Sequence, residues 1–145
     1  HWGVAAFDFA GLYPSMMVAR NISWETKSMN PTSFAVNLST PKDFSECKHT
    51  DMLYYNTDKL GMLPKSVLNL KTLRDLYKQK RKESSSTEEY NKWDSNQLAV
   101  KRLMASFYGV LAYQGFGWAD VDLAASITAS AREAIREAAF KAREL

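Results

Sequence analysis

Apolar and polar positions follow different periods in different parts of this chain, and each change of period predicts an element. Gly3 to Phe9 reads GVAAFDF, a short apolar run interrupted only by Asp8, which is the pattern of a buried strand with an acid near its end. Leu12 to Arg20 reads LYPSMMVAR and predicts a helix, because Pro14 suits a first turn, where its missing N–H removes no bond. Periodicity is lost over 24 to 60, where Asn30-Pro31, Thr40-Pro41 and scattered Ser, Thr and Asn mark loops. Asp51 to Tyr55 is strand-like there, so an irregular region with a small β-hairpin is expected. Gly61-Met62-Leu63-Pro64 opens a new element. From Pro64 to Glu83, Val67, Leu70, Leu73 and Tyr77 recur at helical spacing, giving a helix of about 20 residues, or roughly 30 Å.

Ser84-Ser85-Ser86 breaks that helix, and Ser86 with Glu89 forms an S-x-x-E capping box for a second one. The second helix runs through Trp93, Leu98, Leu103 and Phe107 to about Tyr108, where Gly109 ends or bends it. Two long helices joined by a few residues must lie antiparallel, as a helical hairpin. Tyr113 to Asp122, with Gly115 and Gly117, reads as a turn or short ribbon. Asp122 is placed to cap a last helix running from Leu123 toward Leu145 through Ala and Arg-Glu pairs. The expected class is therefore α+β and mostly helical: a strand-helix unit with a small β-hairpin, a long antiparallel helical hairpin and a final helix.

Composition narrows this only modestly. With 145 residues and 46% hydrophobic content the chain is large enough for one compact domain with a real core. The net charge of +3 does not by itself announce a nucleic-acid partner, so the placement of charge matters more. One cysteine, Cys47, and two histidines, His1 and His49, make neither an internal disulfide nor a zinc site, which leaves metal chemistry to carboxylates. No apolar run reaches the roughly 18 residues of a membrane span, and an intracellular location is expected. Both ends read as cut from something longer.

Candidate chemistry lies in the helical hairpin and at Asp8. Lys71 to Lys82 holds six basic residues (Lys71, Arg74, Lys78, Lys80, Arg81, Lys82) against Asp75, while Glu83 to Asn96 holds four acids against one lysine. Arg74 and Lys78 share a helix face, and so do Lys101, Ala105 and Tyr108. In an antiparallel hairpin Lys101 and Arg74 converge, as a polyphosphate requires: arginine grips oxygens in a fork and lysine supplies a compact charge. Taken alone, the charge run reads first as a solvated helix face with surface ion pairs. Asp8, at a strand end before a helix, suits magnesium, which takes one or two carboxylates plus substrate phosphates. Taken alone it reads first as an N-cap or a surface aspartate. Tyr13, Tyr108, Trp24, Trp93, Trp118 and Met16-Met17 read as packing residues.

Three ordered motifs sharpen the picture. Asp8-Phe9-Ala10-Gly11-Leu12-Tyr13-Pro14-Ser15-Met16-Met17 resembles motif A of family B DNA polymerases, D-x-x-S-L-Y-P-S-I-I. Lys101 to Gly109 (KRLMASFYG) resembles motif B, K-x-x-x-N-S-x-Y-G. Between them Leu63-Pro64, Leu70, Arg74 and Lys78 resemble the first fingers helix, L-P-x-x-L followed by R-x-x-x-K. The resemblance covers about Val4 to Leu145 and is nearest to the archaeal-type enzymes. It implies a palm segment over 1–60, a fingers hairpin over 61–109 and a return to the palm over 110–145. It implies that Asp8 and the Phe9 carbonyl hold magnesium in a two-metal site whose second aspartate lies outside this chain. Backbone N–H groups at Gly11 and Leu12 would meet the triphosphate of an incoming dNTP, and Tyr13 would exclude a ribose 2′-hydroxyl. Arg74, Lys78 and Lys101 would grip the triphosphate, with Lys101 also the acid for the leaving pyrophosphate. Tyr108 and Gly109 would lie against the new base pair. The implied partners are primer-template DNA, dNTP and the remainder of a parent polymerase.

The chain departs from the pattern at three places. The motif B Asn is Ala105, at a position that lines the nucleotide site in many members. Gly11 replaces a Ser, and T-x-x-G-R after motif B becomes Thr128 to Arg132 (TASAR). Motif C, Y-x-D-T-D, has no match, and Asp120-Val121-Asp122 falls too early for it. A palm–fingers piece that is inactive alone is therefore expected. Two other readings stand beside it: an inactive relative that binds DNA without nucleotide dependence, and a helical interaction domain that binds neither.

Overall fold

A computed structural model describes residues 8–30, 34–38 and 52–144. The elements are helix α1 (Leu12–Ala19), strands β1 (Lys27–Ser28), β2 (Phe34–Asn37) and β3 (Met52–Tyr55), and helices α2 (Met62–Glu83), α3 (Thr87–Ala112) and α4 (Val121–Arg143). The strand expected over Gly3 to Phe9 falls mostly outside the described residues, and Asp8 and Phe9 have irregular backbone. The Asn30-Pro31 loop lies partly, and the Thr40-Pro41 loop, Cys47 and His49 wholly, outside them.

α1 starts where Gly11 adopts a left-handed conformation, φ 66°, which glycine adopts without strain. It ends where Asn21, at φ 51°, turns the chain back. Asn21 is buried and ties the end of α1 to the stretch from Asn56 to Gly61. Its Nδ2 donates to the carbonyls of Asn56 (2.6 Å) and Lys59 (2.8 Å), and its Oδ1 accepts from the Gly61 N–H (2.8 Å). Gly61 needs to be glycine for space: a Cβ there would stand 2.6 Å from the Ser23 Cβ. The seam is completed by Glu25, which accepts from the Ser23 hydroxyl (2.6 Å) and the Met62 N–H.

The expected hairpin forms from β2 and β3, and β1 adds to it, giving a three-stranded antiparallel sheet in the order β1-β3-β2, with Lys27 opposite Tyr55 and Val36 opposite Leu53. Pairing β1 with the distant β3 is a long-range event that local periodicity does not report. α4 packs over this sheet and α1 through Leu123, Ala124, Ser126, Ile127, Ser130 and Ala131, the Ala and Ser positions among them permitting close approach. The core gathers Met17, Ile22, Val36, Tyr55, Leu63, Val67, Leu111, Leu123 and Ile127.

The antiparallel helical hairpin forms as expected. Tyr77 stacks on Trp93 with ring centroids 5.7 Å apart, and Arg81 pairs with Asp94 at 2.5 Å across the two helices. Ser86 caps α3, its hydroxyl accepting from the Glu89 N–H at 3.2 Å, while Glu89 reaches back to the Ser85 N–H rather than to Ser86. Three expectations need correction. α3 does not stop at Gly109 but continues to Ala112, because the Leu111 side chain is buried in the core and holds the extra turn. Leu98 and Leu103 are 36% and 52% exposed, and the buried stripe of α3 is Gln97, Val100, Met104 and Leu111. The cap of α4 is Asp120, whose Oδ1 accepts from the N–H groups of Asp122 and Leu123, so Asp122 lies inside the first turn.

Candidate functional site

The start of α1 presents backbone N–H groups that the helix leaves without partners. Gly11 supplies no capping side chain, and no acid occupies the first turn, so the positive end of the helix dipole is not neutralised locally. Immediately before it, Asp8 and Phe9 are exposed. They line an open cleft of about 350 Å³ with Leu12 and, from α4, Ile135, Ala138 and Ala139. On the other side of the Gly11 turn, a second cleft of about 240 Å³ runs between Gly11, Pro14 and Ser15 and the α2–α3 residues Val67, Lys71 and Met104. The glycine turn is thus the meeting point of the α1 unit and the helical hairpin.

Tyr13 on α1 and Tyr108 on α3 meet across that junction, their ring centroids 4.8 Å apart and their planes tilted by 48°. These residues belong to the two motif-bearing segments, and the fold brings them into contact over 95 positions of sequence. Ala105 and Lys101 lie one and two turns back along α3 from Tyr108 and are exposed. Arg74 on α2 donates through Nε to the Gln97 side-chain carbonyl at 3.2 Å. Arg81–Asp94 and Arg74–Gln97 set the cross-helix register, and continuing it by one turn sets Lys101 level with Leu70 to Arg74. The convergence expected of Arg74 and Lys101 is therefore compatible with the observed register. Lys78 pairs with Asp75 on its own helix at 3.6 Å, the lysine half-buried and the aspartate exposed. Arg81 is committed to Asp94, a bond that raises the arginine above its ordinary value and holds the aspartate below the usual carboxylate range.

The Asp120-Val121-Asp122 pair is structurally employed. Lys27 reaches both carboxylates, at 2.8 and 3.1 Å, joining β1 to the start of α4. Burial pulls the Lys27 ammonium down, but its bonds to the two aspartates outweigh this and its value ends above the ordinary one. Among the described residues no group of three or more His, Cys, Asp and Glu gathers in a way that could hold a metal ion. Asp8 is a single exposed carboxylate, so these residues fit one share of a metal site and not a complete one.

Sequence reasoning missed Gln97, Asp94 and Asn21. For Gln97 a signal was present: it stands one turn before Lys101, on the stripe of Val100 and Met104.

The comparisons with known proteins bear on this geometry. Residues 2–142 match the model of DNA polymerase family B. The chain belongs to that family. DNA polymerase 1 of Aeropyrum pernix is 33% identical over 144 residues, 98% of this chain and 14% of that protein. DNA polymerase 1 of Pyrococcus abyssi is 29% identical over 92% of this chain and 16% of its own length, and the DNA polymerase delta catalytic subunit of Candida albicans is 28% identical over 92% and 13%. The family B DNA polymerase structure from the hyperthermophilic archaeon Pyrobaculum calidifontis superposes with a TM-score of 0.72 at 26% identity, covering 95% of this chain and 18% of that one. The chain thus spans about a sixth of the length of these family B relatives. Within it, the two segments that resemble motifs A and B meet at Tyr13 and Tyr108.

Proposed function

We propose that this chain is the part of a DNA-directed DNA polymerase that selects and grips the incoming dNTP. In this reading 1–60 and 110–145 belong to the palm and 61–109 to the fingers, and the remainder of a longer polymerase supplies the rest of the catalytic centre. The contact of Tyr13 with Tyr108 carries the reading, because it unites motif A and motif B at the glycine turn.

Each residue then has a physical task. The N–H groups at Gly11 and Leu12, at an uncapped helix start, receive triphosphate oxygens. Arg74, Lys78 and Lys101 neutralise charge as the α-phosphoryl group transfers, and Lys101 delivers a proton to the leaving pyrophosphate. Tyr13, braced by Tyr108, lies beneath the sugar and leaves no room for a ribose 2′-hydroxyl. Tyr108 and Gly109 face the new base pair, and Ala105 leaves open the space that an Asn fills in relatives of the resembling pattern. Asp8 and the Phe9 carbonyl would hold magnesium together with a second aspartate from outside this chain. Bound there, the metal would supply the charge that activates the primer 3′-hydroxyl and stabilises the leaving oxygen. Closure of the α2–α3 hairpin brings the basic face to the nucleotide and expels water, so correct pairing on primer-template DNA gates the chemistry. Among the described residues no helix is long and apolar enough to cross a membrane.

The test is magnesium-dependent dNTP binding by the complete polymerase that carries this segment. Lys101→Ala is expected to weaken the dNTP by about tenfold or more, the scale of a lost charge-assisted contact, while DNA binding persists. DNA binding with no dependence on nucleotide, unchanged by Lys101→Ala, would refute the reading in favour of an inactive relative.

A further inference from the structure

Arg74 is not a free cation on a solvated face. Its Nε donates to the Oε1 of Gln97 at 3.2 Å, and Gln97 is 5% exposed. The other end of the same amide is also engaged: Gln97 Nε2 donates to Asp94 Oδ1 at 3.1 Å, and that oxygen accepts from Arg81 Nη1. An ionised carboxylate only accepts, so Asp94 fixes which end of the amide carries the NH₂ and leaves the amide oxygen for Arg74. Asp94 is held ionised first by the bond from Arg81 and then by the bond from Gln97. The result is a relay across the hairpin, Arg81 to Asp94 to Gln97 to Arg74, that alternates donors and acceptors without a break. Because Arg74 spends Nε on this relay, both terminal nitrogens of its guanidinium stay available for a forked grip on an anion.

We infer that Gln97 is a positioning residue for Arg74, fixing its guanidinium through Nε, and that Asp94 and Arg81 set the orientation of the Gln97 amide. This rests on the reading of Arg74 as a triphosphate ligand. The effect of Gln97 passes through Arg74, and the unpinned arginine would lose rotamer freedom at each binding event.

A double-mutant cycle in the complete polymerase tests it, with single-turnover incorporation giving the dNTP Kd and the maximal rate separately. Gln97→Met, which keeps an apolar body in the buried site, is expected to raise Kd about fivefold to tenfold, within the range of one lost hydrogen bond. The maximal rate changes less than the Kd. Asp94→Ala, a milder and partly exposed change that guards against misfolding of the first variant, is expected to raise Kd in the same direction by less. Both effects are expected to vanish in an Arg74→Ala background, since a residue acting through Arg74 has nothing left to position. Effects that add fully to that of Arg74→Ala would overturn the inference and leave the site reading intact. An unchanged Kd for Arg74→Ala alone would sink the site reading, and the inference with it.

Discussion

Asn21 shows what a single residue carries here. Its amide closes bonds to Asn56, Lys59 and Gly61 from a left-handed backbone position that asparagine adopts more readily than most residues. Asn21→Ala leaves those buried groups without partners and adds backbone strain, so a loss of about 2 to 4 kcal/mol is expected in chemical or thermal unfolding. The signal was in the sequence, an Asn just past a predicted helix end, but its partners 35 to 40 positions away were not. Tyr13 and Tyr108 were legible for the opposite reason: each stands within a motif, so the pattern named them before the fold joined them. Ala105 has the plainest consequence. It is exposed on the face that also carries Lys101, and Ala105→Asn is expected to lower the dNTP KM about twofold to tenfold by adding one polar contact. Steady-state incorporation checks this, and an unchanged or raised KM would place that face away from the nucleotide.

At the scale of elements, α2 and α3 were readable because a long apolar period, a serine break and a capping box agree. Ser86→Ala is expected to destabilise the start of α3 by about 1 kcal/mol, seen as lowered protection of the first-turn amides in hydrogen exchange. The start of α4 was misread because two aspartates in an Asp-x-Asp run compete for the cap, and local spacing does not choose between them. Lys27 on β1 joins both carboxylates, and Asp120 alone accepts from the two helix N–H groups. The sheet was the least legible part, since β1 has two residues and pairs with a strand whose register depends on tertiary contact. Gln97 fell between these cases: its spacing from Val100, Lys101 and Met104 was a signal that went unread, and a buried amide between two charged residues becomes a relay only once the hairpin register is known.

The whole molecule couples these pieces to pH. Burial pushes the Tyr55 hydroxyl up to about 12, against the opposing bond to Ser126. Because its folded value lies above the ordinary 10.0, the stabilisation is full below pH 10 and is lost as pH rises toward 12. Lys27, also raised, loses its contribution in the same direction, above the ordinary lysine value. Asp94 has the opposite sign: its lowered value gives stability above the ordinary carboxylate range that is lost as pH falls through the folded value. Thermal unfolding between pH 8 and pH 12 is therefore expected to show a steep alkaline loss that Tyr55→Phe makes shallower. A slope that Tyr55→Phe leaves unaltered would assign the alkaline loss to other groups.

The central claim, that this family B segment contributes one carboxylate to a shared metal centre beside a nucleotide grip, reduces to one measurement. In the complete polymerase carrying this segment, Asp8→Asn keeps the size of the side chain and removes its charge. Single-nucleotide incorporation on a primer-template is expected to fall about a thousandfold, equivalent to about 4 kcal/mol of lost transition-state stabilisation, while primer-template binding stays near that of the unaltered enzyme. Incorporation by Asp8→Asn at the rate of the unaltered enzyme would contradict the account, because the only carboxylate in motif A would then be dispensable for chemistry.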